Sequence, residues 1–330
     1  MTIKIITEIA STHNGNTKIV EELSHDHLKS KSDYLKYQLF KAENLLNKYE
    51  KDFKRFKKIE INYKNWTRII NKFKKRTKVI LEVFDFESYE FSKKFKKDVD
   101  LKISTSELDN FELIDDALKN FKKIFLNVSG YNKSFIGKLI SRYFTIKNKK
   151  KLVILYGFQG FPSNPEDLRL NLFEEFKKKK INYGYSDHSV HGLSEDLISI
   201  LPLVLEKNIQ YFEKHICKNI SRKPPDYISS LEYNEFSKFV RIIKKYNSLK
   251  KLSFTGNDIV EGEYSQKMHK FAYLKKNIDS KKKINISDIT FLRTSKKNGL
   301  RRSFFETKKN FVSKKNIKKF NLLLKSNLHY

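Results

Sequence analysis

Residues 181–216 read INYGYSDHSVHGLSEDLISILPLVLEKNIQYFEKHI. Extended runs at Ile181–Gly184 and Gln210–His215 flank a helical segment at 194–206, so the stretch is one strand, one helix and the next strand. Pro202 lies inside that helical segment and is expected to kink it. The first strand runs into Ser186-Asp187-His188 and the second ends in Glu213-Lys214-His215. Polar residues therefore gather where each strand finishes.

The same alternation extends outward from the N-terminus to about residue 250. Further strand-like runs at Lys4–Ile9, Tyr34–Leu39, Val79–Phe84, Leu101–Ser104, Ile124–Val128 and Leu152–Tyr156 complete a set of eight. Between them lie helical signals such as PEDLRLNLFEEFKKK, with Pro165 suited to the first helical position and Leu168, Leu172, Phe173 and Phe176 on one face. Ser230 is the expected cap of a last helix running to Tyr246. Eight such units in about 250 residues predict an α/β fold, a (β/α)8 TIM barrel, whose active-site groups collect at the strand C-terminal ends. A doubly wound sheet would carry fewer strands and a glycine-rich phosphate turn, and no G-x-G-x-x-G or Walker A pattern is present. The expected organisation is a barrel over 1–250, a linker over 251–266 and a small mixed domain over 267–330, with no internal repeat.

The composition, 39% hydrophobic and 14% aromatic, supplies enough apolar material for a substantial core and excludes wholesale disorder. The longest apolar stretch, Ile198 to Leu205, falls far short of the roughly 20 residues a bilayer crossing needs. The N-terminal apolar run is interrupted by Glu8 and resembles no secretory signal, which points to a soluble, cytoplasmic protein. One cysteine, Cys217, excludes an internal disulfide and a Cys-rich zinc site. The formal net charge of +31 raises the question of a polyanion partner. Its lysine runs at 149–151, 177–180 and 281–283 are scattered, so the basicity reads as a solvated surface rather than a nucleic-acid site.

Alternate residues of a strand share a face, which puts Lys36 with Gln38, and Glu213 with His215. Charged groups inside a barrel are costly unless they meet an anion, a metal or a counter-charge. Glu8, Lys36, Gln38, Lys102, Thr105, Glu107, Ser186, His188, Glu213 and His215 all fall at or beyond strand ends and so describe a polar pocket. His188 and His215 stand one βα unit apart, and two imidazoles with open positions suit a divalent ion holding waters and substrate oxygens. Asp187 and Glu213 are the expected partners orienting those rings. Lys36 and Lys102 with Ser186 and Thr105 would form a phosphate or carboxylate site. The plainer reading, of hydrogen-bonded buried histidines and salt-bridged interior lysines, stands beside it.

Eight strings in order, TEIASTHNGN, LKYQLFKAENL, FDFES, LKISTSELDN, NPEDLRL, YGYSDHS, YFEKHI and PPDYISSLEYNEF, resemble the sialic acid (N-acetylneuraminate) synthase family with its legionaminic and pseudaminic acid relatives. The tail segment FAYLKKNIDSKKKINISDITFLR resembles the start of that family's small antifreeze-like (SAF) domain. The resemblance implies a metal-dependent condensation of phosphoenolpyruvate with an N-acylated amino sugar such as N-acetylmannosamine. It implies Mn2+ or Mg2+ on His188 and His215, with Lys36, Lys102, Thr105 and Ser186 around the enol phosphate. Glu8 and Asp226 match sugar-hydroxyl ligands, Glu107 a proton-transfer carboxylate, and Gln38 and Glu213 their support. Arg293 matches a tail-domain arginine that reaches the sugar's N-acyl group from the partner subunit, which implies a domain-swapped homodimer.

Some positions depart from the family pattern. Leu81 and Glu82 replace small hydroxyl residues near the phosphate, Val128 and Ser129 replace serine and threonine, and Phe161 lacks a hydroxyl. Glu82 is unfavourable beside an anion unless it turns away or finds a lysine. The rival readings are a diverged barrel that binds sugar or phosphoenolpyruvate without turnover, and a polyanion-binding protein.

Overall fold

Each of the eight runs forms a strand: β1 (Lys4–Glu8), β2 (Tyr34–Leu39), β3 (Lys78–Val83), β4 (Val99–Ile103), β5 (Ile124–Asn127), β6 (Leu152–Tyr156), β7 (Asn182–Asp187) and β8 (Tyr211–Ile216). Every strand pairs in parallel with the next, and β8 returns to β1 with Glu8 opposite His215, which closes the barrel. The two-residue β9 (Ser230–Leu231) pairs with the end of β8. The computed structural model describes residues 2–252, 259–296 and 298–330. The chain divides into two units, residues 1–251 and 252–330.

Local chemistry starts the helices between these strands. Asn16, Asn62, Asp85, Asn110, Asn132 and Ser194 each accept a backbone N–H at the head of the helix that follows. The helices bury Trp66, Ile69, Ile70, Phe73, Leu113, Phe173, Phe236 and Phe239 against the outward face of the strands, in one continuous apolar shell. Leu81 and Val128 belong to that shell and so face the helices, away from the barrel interior. Strand alternation turns only their neighbours Glu82 and Asn127 toward the pocket, which corrects the expectation that Leu81 bears on a phosphate.

Inside the barrel, Ile6, Tyr34, Ile80, Phe125, Val153, Leu155 and Tyr211 form a separate apolar plug. Along β1, β2, β3 and β8 the next inward position is charged: Glu8, Lys36, Glu82 and Glu213. The plug therefore fixes the floor on which the polar cluster stands.

Two helical expectations are corrected. The segment from Pro165 makes one 3-10 turn to Asp167, and the α-helix begins only at Leu172. Arg169 donates to the Glu166 and Leu168 carbonyls, which occupies groups a continuing helix would need. Ser230 is a strand residue donating to the Asp226 carbonyl, and the cap is Glu232, in a reciprocal box with Glu235 ahead of Tyr233–Leu249. A helix, Ile259–Met268, takes in residues 259–266 of the expected linker, while residues 253–258 lie outside the described residues. The helix Glu195–Glu206 continues through Pro202.

The second unit contains β10 (Lys270–Leu274) paired with β11 (Ile289–Arg293), and β12 (Val312–Ser313) paired with β13 (Leu328–His329), both antiparallel. It contains an internal repeat, contrary to expectation. Lys-Lys-Asn-Ile occurs at 275–278 and again at 314–317, and Ile278 and Ile317 exchange both backbone hydrogen bonds, at 2.9 and 2.8 Å. Lys275 N–H bonds the Asp288 carbonyl as Lys314 N–H bonds that of Asn327. Lys281 and Phe320 take matching positive φ values of 63° and 62°. The two halves are related by a local two-fold. Substitution of most other positions masked the repeat in the sequence. Among the described residues no helix is long and apolar enough to cross a membrane.

Candidate active site

Parallel strands that end together deliver their inward side chains to one rim. Here Glu8, Gln38, Glu82, Lys102, Thr105, His188, Glu213, His215 and Asp226 line a cavity of about 190 Å³ at the strand C-terminal ends. Ser104, Ser106, Asn127 and Gln159 add polar groups, and Phe84 and Phe161 add apolar wall. Lys36 and Ser186 lie beneath as buried supports.

The charges beneath the cavity form a closed ring. Lys36 Nζ meets Glu82 Oε2 at 2.6 Å and Glu213 Oε2 at 3.0 Å, and Lys102 Nζ meets Glu82 Oε1 at 3.2 Å and Glu213 Oε1 at 2.8 Å. Lys36 also meets Glu8 Oε1 at 2.7 Å. Ser186 Oγ donates to Glu213 Oε1 at 2.9 Å and Gln38 Nε2 to Glu8 Oε1 at 2.7 Å. Glu82 has therefore found both lysines. Carboxylates occupy the near positions of both Lys36 and Lys102.

Electrostatics follow from that ring. Burial would push the Glu8 carboxyl up, but Lys36, His215 and Lys102 hold it well below the usual carboxylate range. Burial would lower Lys36, yet Glu213, Glu8 and Glu82 hold it well above the ordinary lysine value. Glu213 is pushed up, chiefly by burial and against the pull of Lys102 and Lys36.

His188 Nδ1 lies 3.1 Å from the Phe158 carbonyl, which requires the proton on Nδ1 and leaves Nε2 as the free donor atom. Burial, with His215 beside it, lowers His188 to about 3, so the ring is neutral. His215 Nε2 sits 3.2 Å from Glu8 Oε2, and the two imidazole centroids are 5.4 Å apart. Among the described residues no group of three or more His, Cys, Asp or Glu side chains is placed to hold a metal. Neutral His188, with Nε2 free, and His215, held up by the Glu8 carboxylate against burial, are the residues that would hold an ion keeping water or substrate oxygens in most positions, as Mg2+ and Mn2+ do.

Asp187 does not orient either histidine. Next to inward Ser186 it points outward, where it accepts from Ser189 Oγ at 2.7 Å and pairs with buried Lys214. Glu107, expected as a proton-transfer group, sits on the 3-10 turn Thr105–Glu107, accepts from Asn110 Nδ2 at 2.9 Å and is not part of the cavity wall. Asp226 reaches the wall from a left-handed turn, φ 60°, accepting from Ser11 N–H at 2.9 Å. Arg293 lies exposed at the end of β11, in the second unit.

Sequence reasoning missed Asn127, whose Oδ1 accepts from Ser129 Oγ at 2.7 Å, while Ser129 Oγ accepts from Gly157 N–H at 3.1 Å. Gly157 also packs against β7, where a Cβ would fall 1.8 Å from the Ser186 carbonyl oxygen. The signal was available: Asn127 is two residues beyond inward Phe125.

A closed parallel barrel with an ionisable, half-enclosed cavity at its C-terminal rim is an enzyme-type (β/α)8 barrel. The model of the NeuB family matches residues 24–252, and the chain belongs to the NeuB family. An N,N'-diacetyllegionaminic acid synthase of Campylobacter jejuni is 25% identical over 250 residues, 70% of this chain and 72% of that protein. The solved N-acetylneuraminic acid synthetase of Leptospira borgpetersenii superposes with a TM-score of 0.69 at 21% identity, covering 81% of this chain and 91% of that one. The spore coat polysaccharide biosynthesis protein spsE of Bacillus subtilis does so with a TM-score of 0.62 at 18% identity, covering 100% and 96%.

Proposed function

We propose that this chain condenses phosphoenolpyruvate with an N-acylated amino sugar to give a sialic-acid-like nonulosonic acid and phosphate. The observation that carries the reading is the convergence of Glu8, Gln38, Lys102, His188, Glu213, His215 and Asp226 on one cavity in a chain of the NeuB family. Carbon 3 of the enol phosphate bonds to the aldehyde carbon of the open-chain sugar, water adds at carbon 2, and the C–O bond to phosphate then breaks. His188 and His215 would hold the divalent ion, which supplies Lewis acidity and a template for oxygen ligands.

The protein's own groups position the reactants. Lys102 is the cation facing the cavity and, with the hydroxyls of Ser104 and Thr105, would receive an anionic group. Glu8, held as carboxylate by Lys36, would accept from a sugar hydroxyl together with Asp226. Phe161, its ring 4.8 Å from that of His188, would exclude water from one side. The second unit is read as an antifreeze-like domain, and Arg293 as a group contributed to the partner's site in a domain-swapped homodimer.

The test is phosphate release from phosphoenolpyruvate with Mn2+ against a panel of N-acylated amino sugars and their 6-phosphates, with His188→Ala and His215→Ala as controls. Sugar-dependent release that both substitutions abolish supports the reading; silence across the panel from folded protein sinks it. The bond from Glu82 to both lysines favours one second reading, a barrel that binds the sugar without turnover. Sugar binding by calorimetry without phosphate release would select it.

A further inference from the structure

Lys36 and Lys102 are the cations at the floor of the cavity, and their donor capacity can be counted. An ammonium has three N–H donors. Lys36 is fully buried and faces three carboxylates, Glu8, Glu82 and Glu213, the contact with Glu213 Oε2 being an ion pair without a hydrogen bond. Lys102 faces two, Glu82 and Glu213, and is itself part of the cavity wall, so one donor remains for a ligand. Three carboxylates, Glu8, Glu82 and Glu213, share two ammoniums and the His215 imidazole, and Asp226 adds an acid on the wall. An incoming dianion or trianion meets these carboxylates at short range, where the low dielectric strengthens their repulsion.

The three acids are not equivalent. Glu8 is tied to Gln38 and His215, and Glu213 to Ser186. The contacts of Glu82 are to Lys36 and Lys102, and its side chain lines the cavity while Lys36 does not. All three acids line the cavity above Lys36, and Glu82 differs in that its contacts are to the two lysines.

We propose that Glu82 is an internal anion that competes with an anionic substrate group for Lys36 and Lys102, and so sets a weak affinity of this site for phosphate-bearing ligands. Where that ligand is phosphoenolpyruvate, the inference rests on the function proposed above; for inorganic phosphate it does not. Binding of a polyanion requires the Glu82 carboxylate to leave at least one lysine. The ligand then takes the vacated donors, and neutral sugars are indifferent to the exchange.

Calorimetry on full-length wild type, Glu82→Gln, Glu82→Ser and Glu82→Asp tests this, with inorganic phosphate, phosphoenolpyruvate and N-acetylmannosamine as ligands. Circular dichroism and thermal unfolding establish that each variant is folded. Glu82→Gln and Glu82→Ser are expected to bind both phosphates at least about tenfold more tightly. Glu82→Asp, which keeps the charge, is expected to stay within about threefold of wild type, and sugar affinity to stay unchanged. Phosphate affinity unchanged or weakened in folded Gln and Ser variants overturns the proposal. So does equal tightening by Asp and Ser, because that result reports space rather than charge. No turnover is read, so an inactive protein with the expected phosphate shifts would sink the synthase reading and leave this one standing.

Discussion

Glu8 and His215 are direct partners across the seam where β1 closes on β8, and Glu8 Oε2 lies 3.2 Å from His215 Nε2. The same carboxylate takes Lys36 Nζ and Gln38 Nε2 on its other oxygen, both at 2.7 Å. One side chain therefore couples barrel closure, the buried lysine and an imidazole of the cavity. Glu8→Gln keeps the shape but removes the charge that holds Lys36 and His215. Phosphate release is expected to fall by about 100-fold or more. Circular dichroism should stay that of wild type, and a folded variant with undiminished release would remove Glu8 from the chemistry.

Lys36 is the counter-charge for three buried acids. Lys36→Met leaves Glu82 and Glu213 with Lys102 alone and Glu8 with His215, and breaking a buried ionic cluster this way costs about 3–5 kcal/mol. Adding Glu82→Gln removes one of the stranded charges, so the double variant is expected to be more stable than Lys36→Met alone. Urea unfolding of wild type, both singles and the double gives the coupling directly. Additive costs would mean that the 2.6 Å contact between Lys36 and Glu82 contributes nothing to stability.

The strand set was legible because each barrel strand is an apolar run ending in polar residues, and alternation alone assigns Lys36 with Gln38 and Glu213 with His215 to the inward face. What alternation cannot give is the pairing across strands. Glu82 stands opposite Lys102 only because β3 and β4 take that register, and a reading of each strand by itself left Glu82 as an anomaly. Glu107 shows the converse, since it does not line the cavity. It follows Thr105 by two residues, but the chain has left the strand for a 3-10 turn, where the period of two no longer holds. The repeat in the second unit rests on backbone bonds between Ile278 and Ile317, and only Lys-Lys-Asn-Ile advertises it.

His27 gives a stability prediction with a defined sign. It is buried behind β1, with Thr7 Oγ1 at 2.8 Å and Ser32 Oγ at 2.6 Å from Nδ1, and Thr77 Oγ1 at 2.8 Å from Nε2. Burial lowers it to about 3, whereas in the unfolded chain it titrates near 6.5. As pH falls from about 6.5 toward 3 the unfolded state takes up the proton first. Stability is therefore full above the unfolded value and declines by about 1.4 kcal/mol per pH unit through this window. In His27→Gln that part of the slope should vanish, whatever the cost at neutral pH. Urea midpoints from pH 7 to 4 decide it, and parallel slopes for the two proteins would show that His27 is protonated in the fold.

The local two-fold of the second unit makes a prediction that composition could not. Ile278 and Ile317 are 6% and 4% exposed, sit in one apolar cluster and bond each other's backbone in both directions. Equivalent positions in a symmetric core lose similar contacts on truncation. Ile278→Ala and Ile317→Ala should each cost about 2–4 kcal/mol. The two costs should be similar, because the environments match. Because the two residues touch the same cluster, the double variant should cost less than the sum if the cavities merge and collapse. Native-state hydrogen exchange of the full chain reads this locally, through the amides of β10 to β13. Costs that differ severalfold would mean that the backbone symmetry is not matched by the packing around it.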